Sequence, residues 1–226
     1  MNSRKKAVQA RTRILIVDDH PMMREGLAQL IGQQPDMMVC GEAGEAGDAV
    51  EQVGRLKPDL VLADITLPGR NGLELIKDLQ ALDAPVPVLV ISMHDESFYA
   101  ERVLRAGGRG YVMKQEGGKR IVDAIRQVSA GQIAVSEKMS GRILEIFSGR
   151  PPAGGKSAVE NLTGRELEVF QRIGQGMGTK ELAQELRVSP KTIQVHRANI
   201  KAKLQVNSMT ELIHYAVRWL ESEKRD

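Results

Sequence analysis

Four strand-end positions in this 226-residue chain carry side chains that could do chemistry together: Asp18-Asp19, Asp64, Ser92 and Lys114. Each follows or closes an apolar run of strand length: Arg13-Ile-Leu-Ile-Val17, Leu60-Val-Leu62, Val86–Ile91 and Gly110–Met113. Taken singly, an acidic pair in a loop is a solvated surface and a strand-end Lys a surface charge. Their recurrence at successive strand ends places them at one edge of a sheet, in one shared site. Two carboxylates about 5 Å apart repel by about 3 kcal/mol at an effective dielectric near 20, so a cation must offset them. Hard oxygen ligands with room for water suit Mg2+, which also draws in a phosphoryl group. Lys114 adds a positive charge on the far side, and Ser92 can donate to a phosphoryl oxygen. A carboxylate can itself be the nucleophile and form an acyl phosphate. The arrangement reads as phosphorylation of Asp64.

Strand and helix patterns alternate five times to position these groups. A helix through Met23, Leu27, Leu30 and Ile31 follows the first strand. A short strand at Met38–Cys40 precedes a helix near Ala46–Leu56, and the Asp64 strand leads past Pro68-Gly69 into a helix through Leu73, Leu75, Ile76 and Leu79. Helices near Glu96–Arg105 and Gly118–Ser129 follow the last two strands. Such alternation predicts a parallel sheet wrapped by helices on both sides, with ligands at the carboxyl ends of its strands.

Charge divides the chain. Residues 12–135 hold 13 Lys/Arg against 18 Asp/Glu, whereas residues 156–226 hold 12 against 9, so an acidic module precedes a basic one with a different kind of partner. The single cysteine, Cys40, excludes an internal disulfide and reads as a small buried hydrophobe of a reducing compartment. The basic start at Arg4-Lys5-Lys6 is not followed by an apolar h-region, and no run approaches transmembrane length. A cytoplasmic protein with no membrane partner is expected.

Between the modules, residues 133–158 are expected to be a linker. Ser136–Phe147 can form a short helix with Met139, Ile143, Ile146 and Phe147 on one face, and the Pro/Gly-rich Ser148–Ser157 follows. Ten flexible residues span roughly 17 Å root-mean-square, enough for two modules to dock or separate. From 159 onward the patterns are helical. Thr163 and Glu166 form a capping-box pair, a helix starts at Thr179, Arg187-Val-Ser189 is a turn, and Ser189-Pro190 opens Lys191–Leu204. Two helices joined by such a turn match a helix-turn-helix. On the second of them Ile193, Ile200 and Leu204 face inward, while Lys191, Gln194, Ala198 and Lys201 face outward with Val195 on the shoulder and Arg197 at the border. That face suits the major groove. Gln194 can pair with an adenine edge, Val195 can touch a thymine methyl, Lys191 and Lys201 can meet phosphates, and Arg197 can reach phosphate or guanine. The last helix, Met209–Leu220, carries Tyr215 and Trp219 one turn apart, where either a homodimer contact or core packing would use them.

The constellation Asp18-Asp19, Asp64 with Leu-Pro-Gly-Arg-Asn-Gly, Ser92 and Gly110-Tyr-Val-Met-Lys114 resembles the receiver domain of two-component response regulators. The resemblance implies residues 12–132 as a flavodoxin-like, doubly wound receiver with a five-stranded parallel sheet. By it, Asp64 accepts phosphate from a cognate histidine kinase, Asp18, Asp19, Asp64 and the Thr66 backbone carbonyl hold Mg2+, and Ser92 and Tyr111 form a switch pair. Ala63 departs from the pattern, where a larger apolar residue is common. Thr66 and His94, each two residues past a site residue, would flank the path of the hydrolytic water and set the lifetime of the phosphate; the alternative for His94 is a surface residue of no consequence. Leu-Thr-Gly-Arg-Glu, Val-Ser-Pro-Lys-Thr-Ile-Gln-Val-His and Asn-Ile-Lys-Ala-Lys-Leu resemble the LuxR-type DNA-binding domain, implying residues 159–226 as an all-α four-helix module. Together they resemble a NarL/FixJ-type response regulator, not an enzyme beyond slow self-dephosphorylation, that binds promoter DNA and forms a homodimer when phosphorylated.

Other classes fit less well. A haloacid-dehalogenase-like phosphatase wants a second Asp two residues after its nucleophile, where this chain has Thr66, and a dinucleotide-binding enzyme wants Gly-x-Gly-x-x-Gly where it has Asp18-Asp-His-Pro-Met-Met23. A protein-binding regulator that never meets DNA would lack salt-dependent affinity for a duplex.

Overall fold

The computed structural model describes residues 11–82, 85–147 and 158–223; the expected linker stretch Ser148–Ser157 and the basic start lie outside them. The chain divides into two compact units, residues 1–140 and 141–226.

The first unit has strands β1 (Thr12–Val17), β2 (Met37–Ala43), β3 (Leu60–Asp64), β4 (Val88–Ser92) and β5 (Gly110–Met113). They form one parallel sheet of five strands in the order β2-β1-β3-β4-β5. The helices are α1 (Pro21–Gly32), α2 (Ala46–Leu56), α3 (Gly72–Gln80), α4 (Glu96–Arg105) and α5 (Gly118–Ser129). Ile14–Val17 and Leu60–Ala63 are buried throughout, as strands covered on both faces must be. Alternation divides them. Ile14, Ile16, Leu60, Leu62, Leu89, Ile91 and Val112 share a core with Leu27 and Ile31 of α1 and Ile121 and Ile125 of α5. The register row Val17, Ala63, Val90 and Tyr111 turns to the other face.

Local differences from the expected bounds have local causes. β2 runs longer than Met38–Cys40, an edge strand whose pairing with β1 slips between Ile14 and Leu15 so that Cys40 is passed over; its thiol is half-buried, not core. β4 starts at Val88 because Pro87 has no N–H to give a central strand, although its carbonyl still accepts from Val61 N–H at 2.9 Å. Residues 134–136, assigned above to the linker, bond back into this unit. Helix α6 (Glu137–Phe147) follows, with Met139 buried and Ile143 half-buried.

The second unit contains α7 (Gly164–Gly174), α8 (Thr179–Glu185), α9 (Pro190–Leu204) and α10 (Met209–Glu223). Thr163 and Glu166 close the capping box on α7, and the Ser189 hydroxyl accepts from Thr192 N–H at 3.0 Å to open α9. The turn between α8 and α9 places Arg187 at φ +49°, a left-handed conformation that glycine usually takes. Leu167, Phe170, Leu182, Ile193, Ile200 and Leu212 fill the core. Tyr215 and Trp219 pack on Phe170, with ring centroids 6.0 and 5.5 Å away, and both stay half-buried, so core packing uses one side of each ring. Among the described residues no helix is long and apolar enough to cross a membrane.

Candidate functional site

Register assembles the first site. Val17 pairs with Ala63, Asp64 with Ile91, and Ser92 with Met113, so Asp18, Asp64, Ser92 and Lys114 emerge at one carboxyl edge. The order of the sheet reverses at β1 and β3, whose ends carry Asp18 and Asp64; this is the crevice where open α/β sheets bind ligands.

Asp18 is 0% and Asp64 4% exposed. Lys114 Nζ donates to Asp18 Oδ2 at 2.7 Å and to Asp64 Oδ2 at 2.6 Å, bridging the two carboxylates. The Met113 N–H donates to Glu116 at 2.8 Å, holding the turn that carries Lys114. Burial and the Asp18 charge push the Asp64 carboxyl above its ordinary value against the pull of Lys114. Burial works against the Lys114 cation, but the two carboxylates outweigh it and its pKa rises. The pair is charge-assisted and short, and a lone Asp64 anion there would be costly.

Asp19 lies at the rim. His20 joins the cluster, which the sequence reading did not foresee, with Nδ1 2.8 Å from Asp19 Oδ1 and 3.2 Å from Asp18 Oδ1. Its signal was its place directly after two acids at a strand end. One ligand atom from each of Asp18, Asp19, His20 and Asp64 fits within 4.8 Å of the others. Three hard carboxylates beside an ammonium are a donor set that suits Mg2+ with water completing the sphere. Thr66 N–H donates to Asp64 Oδ1 at 3.2 Å, which holds the Thr66 backbone beside the carboxylate.

Gly72 opens α3 against the backbone of this site: a Cβ there would lie 2.5 Å from the Asp64 carbonyl oxygen and 2.9 Å from Ile65 Cα. Asn71 caps the helix, with Glu74 N–H donating to its side chain at 3.0 Å. The Pro68–Gly72 motif is thus a turn that lets a helix start touching the strand end.

Ser92 and Tyr111 are both buried and meet the same loop. His94 N–H donates to Ser92 Oγ at 3.1 Å, and Tyr111 Oη donates to the His94 carbonyl at 2.9 Å. Burial raises the Tyr111 pKa, so the phenol stays protonated. Thr66 Oγ1 and His94 Nε2 are 3.1 Å apart, joining the two side chains read above as flanking the hydrolytic water.

The second candidate surface is α9. Lys191, Gln194, Val195 and Ala198 are exposed, Val195 by 52%, and Lys201 is half-exposed. Arg197, at the border of the face, is half-buried and donates to Thr179 Oγ1 of α8, and burial lowers its pKa without neutralising it. Lys203 of the same helix donates to Glu166 Oε2 at 2.5 Å. Arg165 is buried, donating to Glu168 and to the Leu186 carbonyl, each at 2.8 Å, so it ties α7 to the end of α8. The stretch Thr163-Gly-Arg-Glu166 therefore fastens the helices that hold α9.

The first unit and the second each match a known domain. Residues 14–126 match the response regulator receiver domain, and residues 160–216 the bacterial regulatory proteins of the luxR family. Over 210 residues the chain is 36% identical to the transcriptional regulatory protein LiaR of Bacillus subtilis, covering 91% of this chain and 97% of that one. A solved LuxR-family two-component response regulator from Aurantimonas is 36% identical, with TM-score 0.57 over 62% of this chain and 99% of that one. RcsB of Salmonella enterica, solved on promoter rprA with a phosphomimetic, shares the fold at 24% identity, TM-score 0.61, over 92% and 98% of the two chains. The chain belongs to the NarL/FixJ-type two-component response regulators, transcription regulators that join a receiver to a LuxR-type DNA-binding domain.

Proposed function

We propose that Asp64 is the phosphoacceptor. The observation that carries this is the Lys114 ammonium, bonded to Asp64 and Asp18 inside a crevice that buries both carboxylates. An Asp64 oxygen attacks the phosphorus of a phosphohistidine on a cognate histidine kinase; the O–P bond forms as the P–N bond breaks, and the imidazole leaves with its electron pair and takes a proton. Lys114 holds the nucleophile and then faces the new phosphoryl oxygens, with Ser92 as hydrogen-bond donor. Asp18, Asp19, Asp64 and the Thr66 carbonyl would hold Mg2+, which supplies charge neutralisation for the entering phosphoryl group.

The Ser92 hydroxyl turns to the phosphoryl oxygens and Tyr111 follows behind it. The altered loop changes the conformational balance of the linker and second unit, which then binds promoter DNA as a homodimer in the cytoplasm. Lys191, Gln194, Val195, Ala198 and Lys201 make the groove contacts, and Arg197 joins them only on leaving Thr179. The one reaction of the chain itself is slow self-dephosphorylation, with Thr66 and His94 flanking the water; a changed decay of the acyl phosphate in His94→Ala is expected, and an unchanged one removes that role.

The deciding experiment treats the full chain and Asp64→Asn with a small acyl-phosphate donor and Mg2+, follows modification by phosphate-affinity electrophoresis, and measures binding to a promoter fragment at several salt concentrations. Wild type should be modified and bind more tightly, and Asp64→Asn should do neither. Modification that persists in Asp64→Asn would overturn the assignment.

A further inference from the structure

The chain leaves the first unit along a path bonded to both elements of the Ser92–Tyr111 region. Ala134, fully buried, forms a parallel bridge with Gly110; its N–H donates to the Arg109 carbonyl at 3.0 Å, and its carbonyl accepts from Tyr111 N–H at 2.8 Å. Gly110 permits this approach, since a Cβ there would lie 2.5 Å from the Ala134 carbonyl oxygen and 2.9 Å from its Cβ. The Val135 carbonyl accepts from Arg120 of α5 at 3.1 Å. Ser136 N–H donates at 2.8 Å to Glu96 Oε1, a buried carboxylate on the first residue of α4.

Ser136 is also where α6 begins. Its hydroxyl accepts from Met139 N–H at 3.1 Å, and its carbonyl accepts from Ser140 N–H at 2.9 Å. Tyr111 is thus held at both ends, its backbone by Ala134 and its hydroxyl by His94 in the loop that leads into Glu96. The interdomain connection is fastened to the two places that a rearrangement around Ser92 must disturb.

We propose that residues 134–136 are an output strap and that Glu96 is the positioning residue that latches it. The idea rests on the assignment of Asp64 above. When Ser92 and the 93–95 loop rearrange, Glu96 moves with the head of α4, the Ser136 N–H loses its acceptor, and the first turn of α6 loosens. The tether of the second unit changes from a helix started at a fixed point to one with a free end.

The test is hydrogen–deuterium exchange of the full chain over residues 134–140, with and without an acyl-phosphate donor and Mg2+, in wild type, Glu96→Ala and Glu96→Gln. Losing one such bond should speed exchange there by about five- to tenfold. Phosphorylated wild type and unphosphorylated Glu96→Ala should both show the rise, and the donor should add little to Glu96→Ala. Unphosphorylated Glu96→Gln, whose amide oxygen still accepts, should keep the protection of wild type, and all three should take phosphate equally. Protection unchanged in Glu96→Ala, or in wild type that has been phosphorylated, overturns the strap alone. Wild type that takes no phosphate at Asp64 overturns the Asp64 assignment and the coupling with it.

Discussion

The two charged regions of this molecule are built on opposite principles. In the first unit, a buried ammonium and two buried carboxylates come from the ends of three different strands, each charge held by the others. In the second, the side chains offered to solvent lie along one helix, and two other basic groups of that helix, Arg197 and Lys203, bond to protein instead. A site made by sheet register is concentrated and intolerant; a site made by helical periodicity is spread out and graded. Substitutions should therefore act all at once in one and a little at a time in the other.

The sharpest contrast is between two lysines. Lys114→Ala leaves Asp18 and Asp64 buried without their cation and should destabilise the first unit by about 3 kcal/mol, read from denaturant unfolding of the full chain. Lys201→Ala, on the half-exposed face, should stay within about 0.5 kcal/mol. Equal effects would erase the distinction. On DNA the order reverses: Gln194→Ala should cost about 1–3 kcal/mol on a preferred sequence only, measured by competition against mixed-sequence duplex, and a uniform loss on both would mean Gln194 reads no base.

The smallest effect concerns Glu166. Burial works to raise its pKa, but Lys203 and the Thr163 N–H outweigh it and the net shift is downward. A depressed folded pKa contributes stability that is present above the unfolded value, about 4.3 for Glu, and is lost as pH falls through the folded one. Lys203→Met should flatten that acid limb of the second unit's melting curve, and an unaltered limb would place the acid sensitivity elsewhere.

Much of this was legible beforehand, for reasons that differ between the units. Polar residues closing apolar runs were enough to foresee Asp18, Asp64, Ser92 and Lys114 at one edge, because parallel pairing leaves strand ends little freedom. The inward face of α9 followed from its period, and Ile193, Ile200 and Leu204 are indeed buried. Partnerships across large separations were not legible. Ala134–Ser136 looked like linker because three residues carry no period, and their partners lie at Arg109, Tyr111 and Glu96. The partners of Arg197 and Lys203, Thr179 and Glu166, were not legible because a helical wheel contains no neighbouring helix. That Tyr215 and Trp219 would meet Phe170 was not legible either, since Phe170 lies on another helix.

The carboxylate of Glu166 belongs to two helices at once: it accepts from Thr163 N–H at 2.7 Å at the head of α7 and from Lys203 near the foot of α9. Helix α9 is therefore tied near its foot to the head of α7. Removing this one carboxylate should release the α7 cap and the tie between α7 and α9 together.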